Sequence, residues 1–213
     1  MANFFKYFPK TVYNLDDSFG LDAITNLTTT FSFDDNILQN SILYYEYTIS
    51  DGETPEIVSH KIYGSSEKHW LIMKMNGISD VKNDWPLDQI SFNDAVDAKY
   101  ANSANVGESG IEWARSNIHS YYKIETRRLV LSGEETVDTI QIDANTYANV
   151  SSYSISYTLP DNFVVNLSVD KKAKTHYDYE IEENESKRNI KILKREYIDI
   201  IEKEFREIMR NGR

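Results

Sequence analysis

The pattern of apolar and polar residues changes its period within residues 44–92. Tyr45, Tyr47 and Ile49 alternate with polar residues, and this period of two predicts a β-strand. After a short turn, apolar residues recur at helical spacing beyond Thr54, a residue type that caps helix N-termini. The pattern therefore predicts a strand that leads directly into a helix.

A second helix is predicted immediately after the first. Pro55 suits the first position of the first helix, and Gly64 suits the position that ends it. Ser65 or Ser66 begins another apolar run, which ends at Asn76-Gly77. Residues 84–87 then return as a short strand or turn, so the predicted order is strand, helix, helix, strand.

The chain beyond this segment carries mostly period-two patterns. Residues 93–120 are polar and rich in small residues, which predicts a loop or linker. Residues 121–193 predict a β-rich region that ends in a hairpin turn at 184–186. Its strands are expected at 121–131, 136–142, 153–157, 163–169, 177–181 and 188–193.

The final segment, residues 194–213, predicts an amphipathic helix. Ile198, Ile201 and Phe205 fall on one face at helical spacing, and Met209 continues that face. We expect this apolar face to pack on the protein's own sheet, and a groove on a partner is the alternative.

The first segment, residues 1–43, predicts an extended arm with short structured pieces, including a strand at 28–33 closed by a turn at 34–36. An aromatic cluster near its start is too short to form a core of its own. It therefore either folds back onto the protein or inserts into a partner. The cluster comprises Phe4, Phe5, Tyr7, Phe8 and Pro9.

Together these elements predict an α+β fold, in which a βααβ module carries an extended arm, a β-rich second region and a C-terminal helix. The 213 residues include 40% hydrophobic and 13% aromatic residues, which is ample for a buried core. The 15 Tyr and 9 Phe residues favour sheets and large interfaces, because Tyr combines contact area with a polar tip.

The net charge of −11 argues against nucleic-acid binding, which needs clustered Lys and Arg. Residues 171–213 hold 12 of the 23 Lys and Arg residues but only 10 of the 34 Asp and Glu residues. The acidic excess therefore lies in residues 1–170. We interpret it as a solvated surface, and docking on a basic neighbour is the alternative.

Cysteine is absent, which excludes disulfides, cysteine-based zinc sites and a thiol nucleophile. No stretch reaches the roughly 18 consecutive apolar residues of a membrane span. The first residues lack a basic stretch followed by an apolar one, so we expect no secretory signal. We expect a protein that remains in the cytoplasm in which it is made until it is assembled.

The sequence contains no recognisable catalytic arrangement. None of the pairs among His60, His69, His119 and His176 has the i, i+4 spacing of a helical metal site. Nucleophile-elbow, Walker and dinucleotide-binding motifs are also absent. We therefore expect no enzymatic activity, no metal and no cofactor.

The segment 44–92 resembles a LysM domain. The run from Tyr47 to Thr54 matches the opening motif of that family, 57–59 its first helix, and 76–78 the end of its second helix. The chain is also similar to the LysM-like baseplate wedge proteins of T-even-type contractile-tail phages, or myophages. The runs that carry this similarity are 5–9, 51–56, 62–65, 69–73, 84–87 and 184–193. The stretch 94–176 has no counterpart in this resemblance, and 79–82 departs from the Asp-Pro common there.

This resemblance implies a structural virion protein of the tail baseplate, which docks on other wedge subunits and helps join adjacent wedges around the hub. It implies no catalysis and no small-molecule substrate. We expect the aromatic arm to contact a partner, together with Trp85 and Pro86, although we prefer a core position for Trp85 and Trp70.

The alternative function is that of other LysM domains, namely binding of peptidoglycan or a related glycan. Their groove would fall here on Gly52, Glu53, Thr54, Asn76, Gly77, Ile78, Ser79 and Asp80. We favour assembly, because the sequence shows no secretion signal, no linker rich in Ser, Thr and Pro, and no repeated module.

Overall fold

The computed structural model describes residues 4–13, 22–27, 40–160 and 163–211. The strand predicted at 28–33 and the turn at 34–36 lie outside these ranges. Helices and strands are mixed, which confirms the α+β prediction. The chain divides into two compact units. Unit 1 comprises residues 1–88 and 185–213, and unit 2 comprises residues 89–184.

Unit 1 begins with a 3-10 turn, Phe4–Tyr7, and a small hairpin. In that hairpin, β1 (Lys10–Tyr13) pairs antiparallel with β2 (Asp22–Thr25). The strand β3 (Tyr44–Thr48) then leads into the helix α1 (Pro55–Tyr63), as predicted.

The ends of α1 follow the sequence signals. The Thr54 side chain accepts a hydrogen bond from the backbone N–H of Ile57, and Gly64 ends the helix with φ 74°. A 3-10 turn, Ser66–Lys68, precedes the predicted second helix, α2 (His69–Met75). A four-residue helix, α3 (Val81–Asp84), follows it.

The partner of β3 is β8 (Asn189–Leu193), which pairs antiparallel with it in the register Tyr44↔Leu193. Of the two alternatives predicted for 84–87, a short strand or a turn, the strand is therefore wrong. Pro86 lacks an N–H for a ladder, whereas Ile190 and Ile192 are 4% and 0% exposed and supply the alternating buried positions of a strand.

The core of unit 1 includes the C-terminal helix α8 (Ile198–Asn211). Its apolar face packs on the unit's own core, as predicted, and Phe205 lies 4.8 Å from Trp70 between ring centroids. One buried cluster comprises Phe8, Trp70, Leu71, Met75, Leu193, Ile198, Ile201, Phe205 and Met209. The other comprises Ile49, Val58, Ile72, Ile78, Trp85, Ile190 and Ile192.

Unit 2 begins with two helices, α4 (Gln89–Tyr100) and α5 (Gly110–Ser116), so the loop predicted over 93–120 is wrong. Only Phe92 and Val96 of α4 are buried. The apolar pattern of this segment is therefore too weak to predict a helix from the sequence. The start of α5 is a capping box in which Ser109 and Glu112 bond each other's backbone N–H.

The four-stranded antiparallel sheet of unit 2 confirms the strands predicted at 121–131, 136–142, 153–157 and 163–169. The strands are β4 (Ile118–Leu129), β5 (Glu135–Ile142), β6 (Tyr153–Thr158) and β7 (Val164–Thr175). Their order in the sheet is β5-β4-β7-β6. A short helix, α6 (Ala144–Asn149), connects β5 to β6.

The strand predicted at 177–181 and the hairpin turn at 184–186 are wrong, because both lie in the helix α7 (His176–Ser186). The side chains of Thr175 and Asp178 accept hydrogen bonds from each other's backbone N–H at 3.1 and 3.3 Å. This reciprocal cap starts the helix. The alternating Tyr and Ile residues within it have the period of a strand, which led to the wrong prediction.

Candidate partner interface

The N-terminal aromatic cluster folds back onto unit 1, which is one of the two outcomes that the sequence left open. Phe8 is 9% exposed, and its ring centroid lies 6.4 Å from that of Phe205. Tyr7 lies edge-on to Phe205 at 6.3 Å. The start of the arm therefore contributes to the core around α8.

The remaining members of this cluster differ in how much surface they present. Phe5 is 53% exposed, whereas Pro9 is partly buried. The side chain of Phe4 lies outside the described residues. Phe5 is thus the described ring of this cluster that keeps most surface for a partner.

Trp85 and Pro86 lie inside unit 1. Trp85 is 5% exposed, and its indole N–H donates a hydrogen bond to the backbone carbonyl of Glu53 at 2.7 Å. Pro86 is buried as well. Their burial agrees with the core position that we prefer for Trp85. A partner that bound either side chain would first have to displace it from this core.

Glu53 organises a polar network at the start of α1. Its carboxylate accepts hydrogen bonds from the backbone N–H of Ser50 at 2.9 Å, the hydroxyl of Tyr47 at 2.8 Å and the ammonium of Lys61 at 3.0 Å. Burial opposes ionisation of Glu53, but these hydrogen bonds outweigh it and lower its pKa. Hydrogen bonds with Tyr47 and Glu53 raise the pKa of Lys61. The network therefore remains ionised at neutral pH and stabilises this turn.

Asn76 joins α2 to β8. Its amide nitrogen donates to the carbonyls of Ile72 and Lys191, both at 2.8 Å, and its amide oxygen accepts from the N–H of Lys191 at 2.7 Å. Both amide hydrogens are thus used within the chain. The side chain has a structural role at the position where a LysM groove was expected.

The loop after Asn76 is held in a similar way. The carboxylate of Asp84 accepts hydrogen bonds from the backbone N–H groups of Ser79 at 3.0 Å and Asp80 at 2.9 Å. The hydrogen bonds from Asp80 and Ser79 lower the pKa of Asp84. Asp80 in turn accepts a hydrogen bond from the N–H of Lys82. These carboxylates are engaged in fixing the loop.

One half of the predicted glycan groove lines a depression that does not include the other half. Asn76, Gly77 and Ile78 line an open groove that is completed by Asp84, Ser186, Lys187, Asn189 and Ile190. Gly52, Glu53 and Thr54 are not among its lining residues. They form the turn before α1, where Gly52 has φ 76°.

The sheet of unit 2 ends in an exposed apolar surface, here called the apolar tip. Leu131 is 82% exposed and Phe163 is 42% exposed. The turn after β4 and the segment before β7 are joined at this end, because the N–H of Val130 donates to the carbonyl of Val164 at 3.0 Å. The apolar tip comprises Val130, Leu131, Leu159, Phe163 and Val164.

The middle of the same sheet is polar by comparison. Glu125 pairs with Lys123 at 2.7 Å and with Arg127 at 2.8 Å, and Arg127 also pairs with Asp138 at 2.7 Å. The ion pair with Lys123 lowers the pKa of Glu125. This row of charges on β4 suits contact with water, in contrast to the apolar side chains of the tip.

Unit 2 also brings together two histidines that are 57 positions apart in the chain. The rings of His119 and His176 lie 5.0 Å apart between centroids, and Trp113 lies 5.1 Å from His176. Nδ1 of His176 is buried without a hydrogen-bond partner, and burial lowers the pKa of this imidazole, as does the nearby His119. Within the described ranges, no group of three or more His, Asp or Glu side chains is placed to hold a metal.

Sequence reasoning placed the contact surface on the arm and on Trp85, and it missed the apolar tip. The missed signal is local. Val130 and Leu131 stand directly before Ser132-Gly133, a turn position where polar residues are the norm.

None of the helices in the described ranges is long and apolar enough to cross a membrane.

A family model with the description base plate wedge protein 53 matches residues 4–208 of the chain. The match includes the whole of unit 2 as well as most of unit 1. A comparison with curated proteins gave no match.

Proposed function

We propose a docking role for this chain, which belongs to the base plate wedge protein 53 family and is a structural protein of the phage baseplate. In this role it binds other wedge subunits of a contractile tail and helps join adjacent wedges around the hub. It acts in the virion after assembly in the host cytoplasm, and it acts through buried surface, without catalysis or a cofactor.

The observation that carries this proposal is the apolar tip. Single exposed apolar residues are common on protein surfaces, but several of them at one end of a sheet are typical of an interface. Leu131 and Val130, at 82% and 55% exposed, gain the most from burial against a partner. The tip therefore fits an apolar groove on a neighbouring subunit.

The negative charge of unit 2 suggests which residues surround that groove on the partner. Residues 89–184 contain 15 Asp and Glu against 8 Lys and Arg, a net charge of −7. Glu134 lies in the turn after β4, and Glu135 is the first residue of β5. A groove with basic residues around an apolar floor would complement this surface and speed the encounter.

The glycan-binding alternative has no comparable observation in its favour. Asn76 and Glu53 direct their side-chain hydrogen bonds at their own chain. The groove that Asn76, Gly77 and Ile78 line does not include Gly52, Glu53 or Thr54. We therefore do not propose it as a second function.

The test of the docking proposal is the substitution Leu131→Asp. We expect this variant to bind the other wedge proteins of its phage about 30-fold more weakly in a titration, since a central interface residue contributes about 2 kcal/mol. Val106→Asp is the matched control, because Val106 lies in the same unit and is also fully exposed. The proposal fails if both variants bind as the wild-type protein does.

A further inference from the structure

The strand β6 forms one edge of the sheet in unit 2, because β7 is its only sheet partner among the residues that the structure describes. All six of its residues are exposed, and its register with β7 runs from Tyr153 to Thr158 without a shift. Edge strands of soluble proteins are usually protected from pairing by Lys, Pro or a bulge. Residues 151–159 contain neither a charged residue nor Pro, so β6 carries none of these protections.

The sequence of β6 is the same in both directions around Ile155. Residues 153–157 are Tyr-Ser-Ile-Ser-Tyr. Tyr153, Ile155 and Tyr157 lie on one face of the sheet and are 48%, 50% and 39% exposed. Ser154 and Ser156 lie on the opposite face.

We propose that β6 pairs antiparallel with β6 of a second copy of this chain, around a two-fold axis at Ile155. The pairing places Ile155 opposite Ile155 of the second copy and Tyr153 opposite its Tyr157. Each serine on the other face then lies opposite a serine. The two four-stranded sheets become one continuous sheet of eight strands.

The palindromic sequence is the reason to choose a second copy as the occupant. A two-fold interface brings the same surface patch of both molecules together, so this patch must complement itself. Antiparallel pairing of β6 sets aromatic rings opposite aromatic rings and hydroxyls opposite hydroxyls, and both types of pair stabilise sheets. No like charges meet.

The strand β5, at the other edge of the sheet, is unsuited to pairing with itself. In β5, Glu135 and Asp138 would add carboxylates to any pairing of that strand with itself, and like charges across strands are destabilising. Ile140 of β5 is 47% exposed, almost the same as Ile155. This residue therefore provides a control of the same type, in the same sheet and with the same exposure.

The absence of cysteine makes disulfide cross-linking the sharpest test, since each introduced thiol is unique. Under mild oxidation, Ile155→Cys should form a covalent dimer at least tenfold faster than Ile140→Cys. Opposed residues bring their Cα atoms within the roughly 7 Å that a disulfide requires. Equal rates for the two variants would overturn the proposal.

Two further cysteine variants test the register. Tyr153→Cys alone should not cross-link, because the two copies of residue 153 would lie about 13 Å apart along the strands. A mixture of Tyr153→Cys and Tyr157→Cys should give a mixed dimer. Efficient cross-linking of Tyr153→Cys to itself would exclude a two-fold axis at Ile155.

Light scattering at increasing concentration tests the same pairing without a covalent bond. The wild-type protein and Ile140→Glu should reach twice the monomer mass, whereas Ile155→Glu should raise the dimer dissociation constant at least tenfold. A wild-type protein that stays monomeric up to several hundred micromolar contradicts self-pairing. If Ile155→Glu then weakens binding of another wedge protein, the edge belongs to that protein. The docking test at Leu131 is read separately, because it measures binding to other subunits.

Discussion

At the scale of single residues, internal hydrogen bonds decide which predicted contact residues remain available to a partner. The indole N–H of Trp85 is bound to a carbonyl of its own chain, and the amide of Asn76 is bound to the backbone of α2 and β8. The residue types whose side chains bind partners are also those that form hydrogen bonds with buried backbone N–H and C=O groups. Sequence alone does not distinguish the two uses, because the difference lies in the three-dimensional surroundings.

The partly buried imidazole of His176 predicts a dependence of stability on pH. Burial and the neighbouring His119 lower its pKa below the value of about 6.5 in the unfolded chain. As the pH falls through that value, the unfolded state binds a proton that the folded state does not, so stability decreases. We expect His176→Phe, which keeps the ring contacts, to lose less stability than the wild-type protein between pH 7.5 and 5.5.

Chemical denaturation at several pH values measures this difference. At pH 7.5 the variant should be at least as stable as the wild-type protein, because it removes a buried nitrogen that has no hydrogen-bond partner. Identical pH profiles for the two proteins would show that His176 does not titrate differently in the folded state.

At the scale of elements, the helix α8 allows a paired test of packing. Phe205 is 2% exposed and lies against Trp70, whereas Ile200 of the same helix is 62% exposed. We expect Phe205→Ala to reduce the free energy of unfolding by about 3–5 kcal/mol. Ile200→Ala should change it by less than about 1 kcal/mol. Equal effects in thermal denaturation would show that the apolar face of α8 is not buried on its own chain.

Elements were predictable from the sequence where a period and a cap agreed. Thr54 and Gly64 delimit α1, and the alternating residues of β4 to β7 give the strands of unit 2. Prediction failed at 177–181, where the alternating pattern conflicts with the cap formed by Thr175 and Asp178. The cap prevailed because it satisfies backbone N–H groups at the start of a helix.

The pairing of β3 with β8 shows a second limit. Tyr44 and Leu193 are neighbours in the sheet although the whole of unit 2 lies between them in the chain. A local pattern indicates that a strand exists but not which strand it pairs with. For this reason the sequence offers 84–87, the nearest candidate, as the closing strand or turn, whereas the partner of β3 is β8.

The candidate contact surface was less predictable than the fold. The sequence identified the aromatic cluster at the N-terminus, but Phe8 is used in the core of unit 1. The exposure of the apolar tip could not be predicted, because Leu131 falls within the strand predicted at 121–131, where an apolar residue is expected. Its exposure follows from the path of the chain at the turn, which the period-two pattern does not specify.

At the scale of the whole molecule, both proposed contact surfaces lie in unit 2. The apolar tip is proposed to bind other wedge subunits, and β6 is proposed to pair with a second copy. Unit 2 also carries most of the net negative charge, −7 of −11, which limits non-specific association while leaving these two uncharged surfaces free to bind. We propose that this division suits the chain to serve as a joint in a larger assembly.

Hydrogen–deuterium exchange of the free chain and of its complex with the other wedge proteins tests the docking role most directly. We expect the peptides that cover 129–135 and 159–165 to exchange at least tenfold more slowly in the complex, because a partner then covers the apolar tip. Peptides from α1 should exchange equally in both states. Unchanged exchange at the tip in a stable complex, with protection elsewhere, would contradict this account and place the joint on another surface.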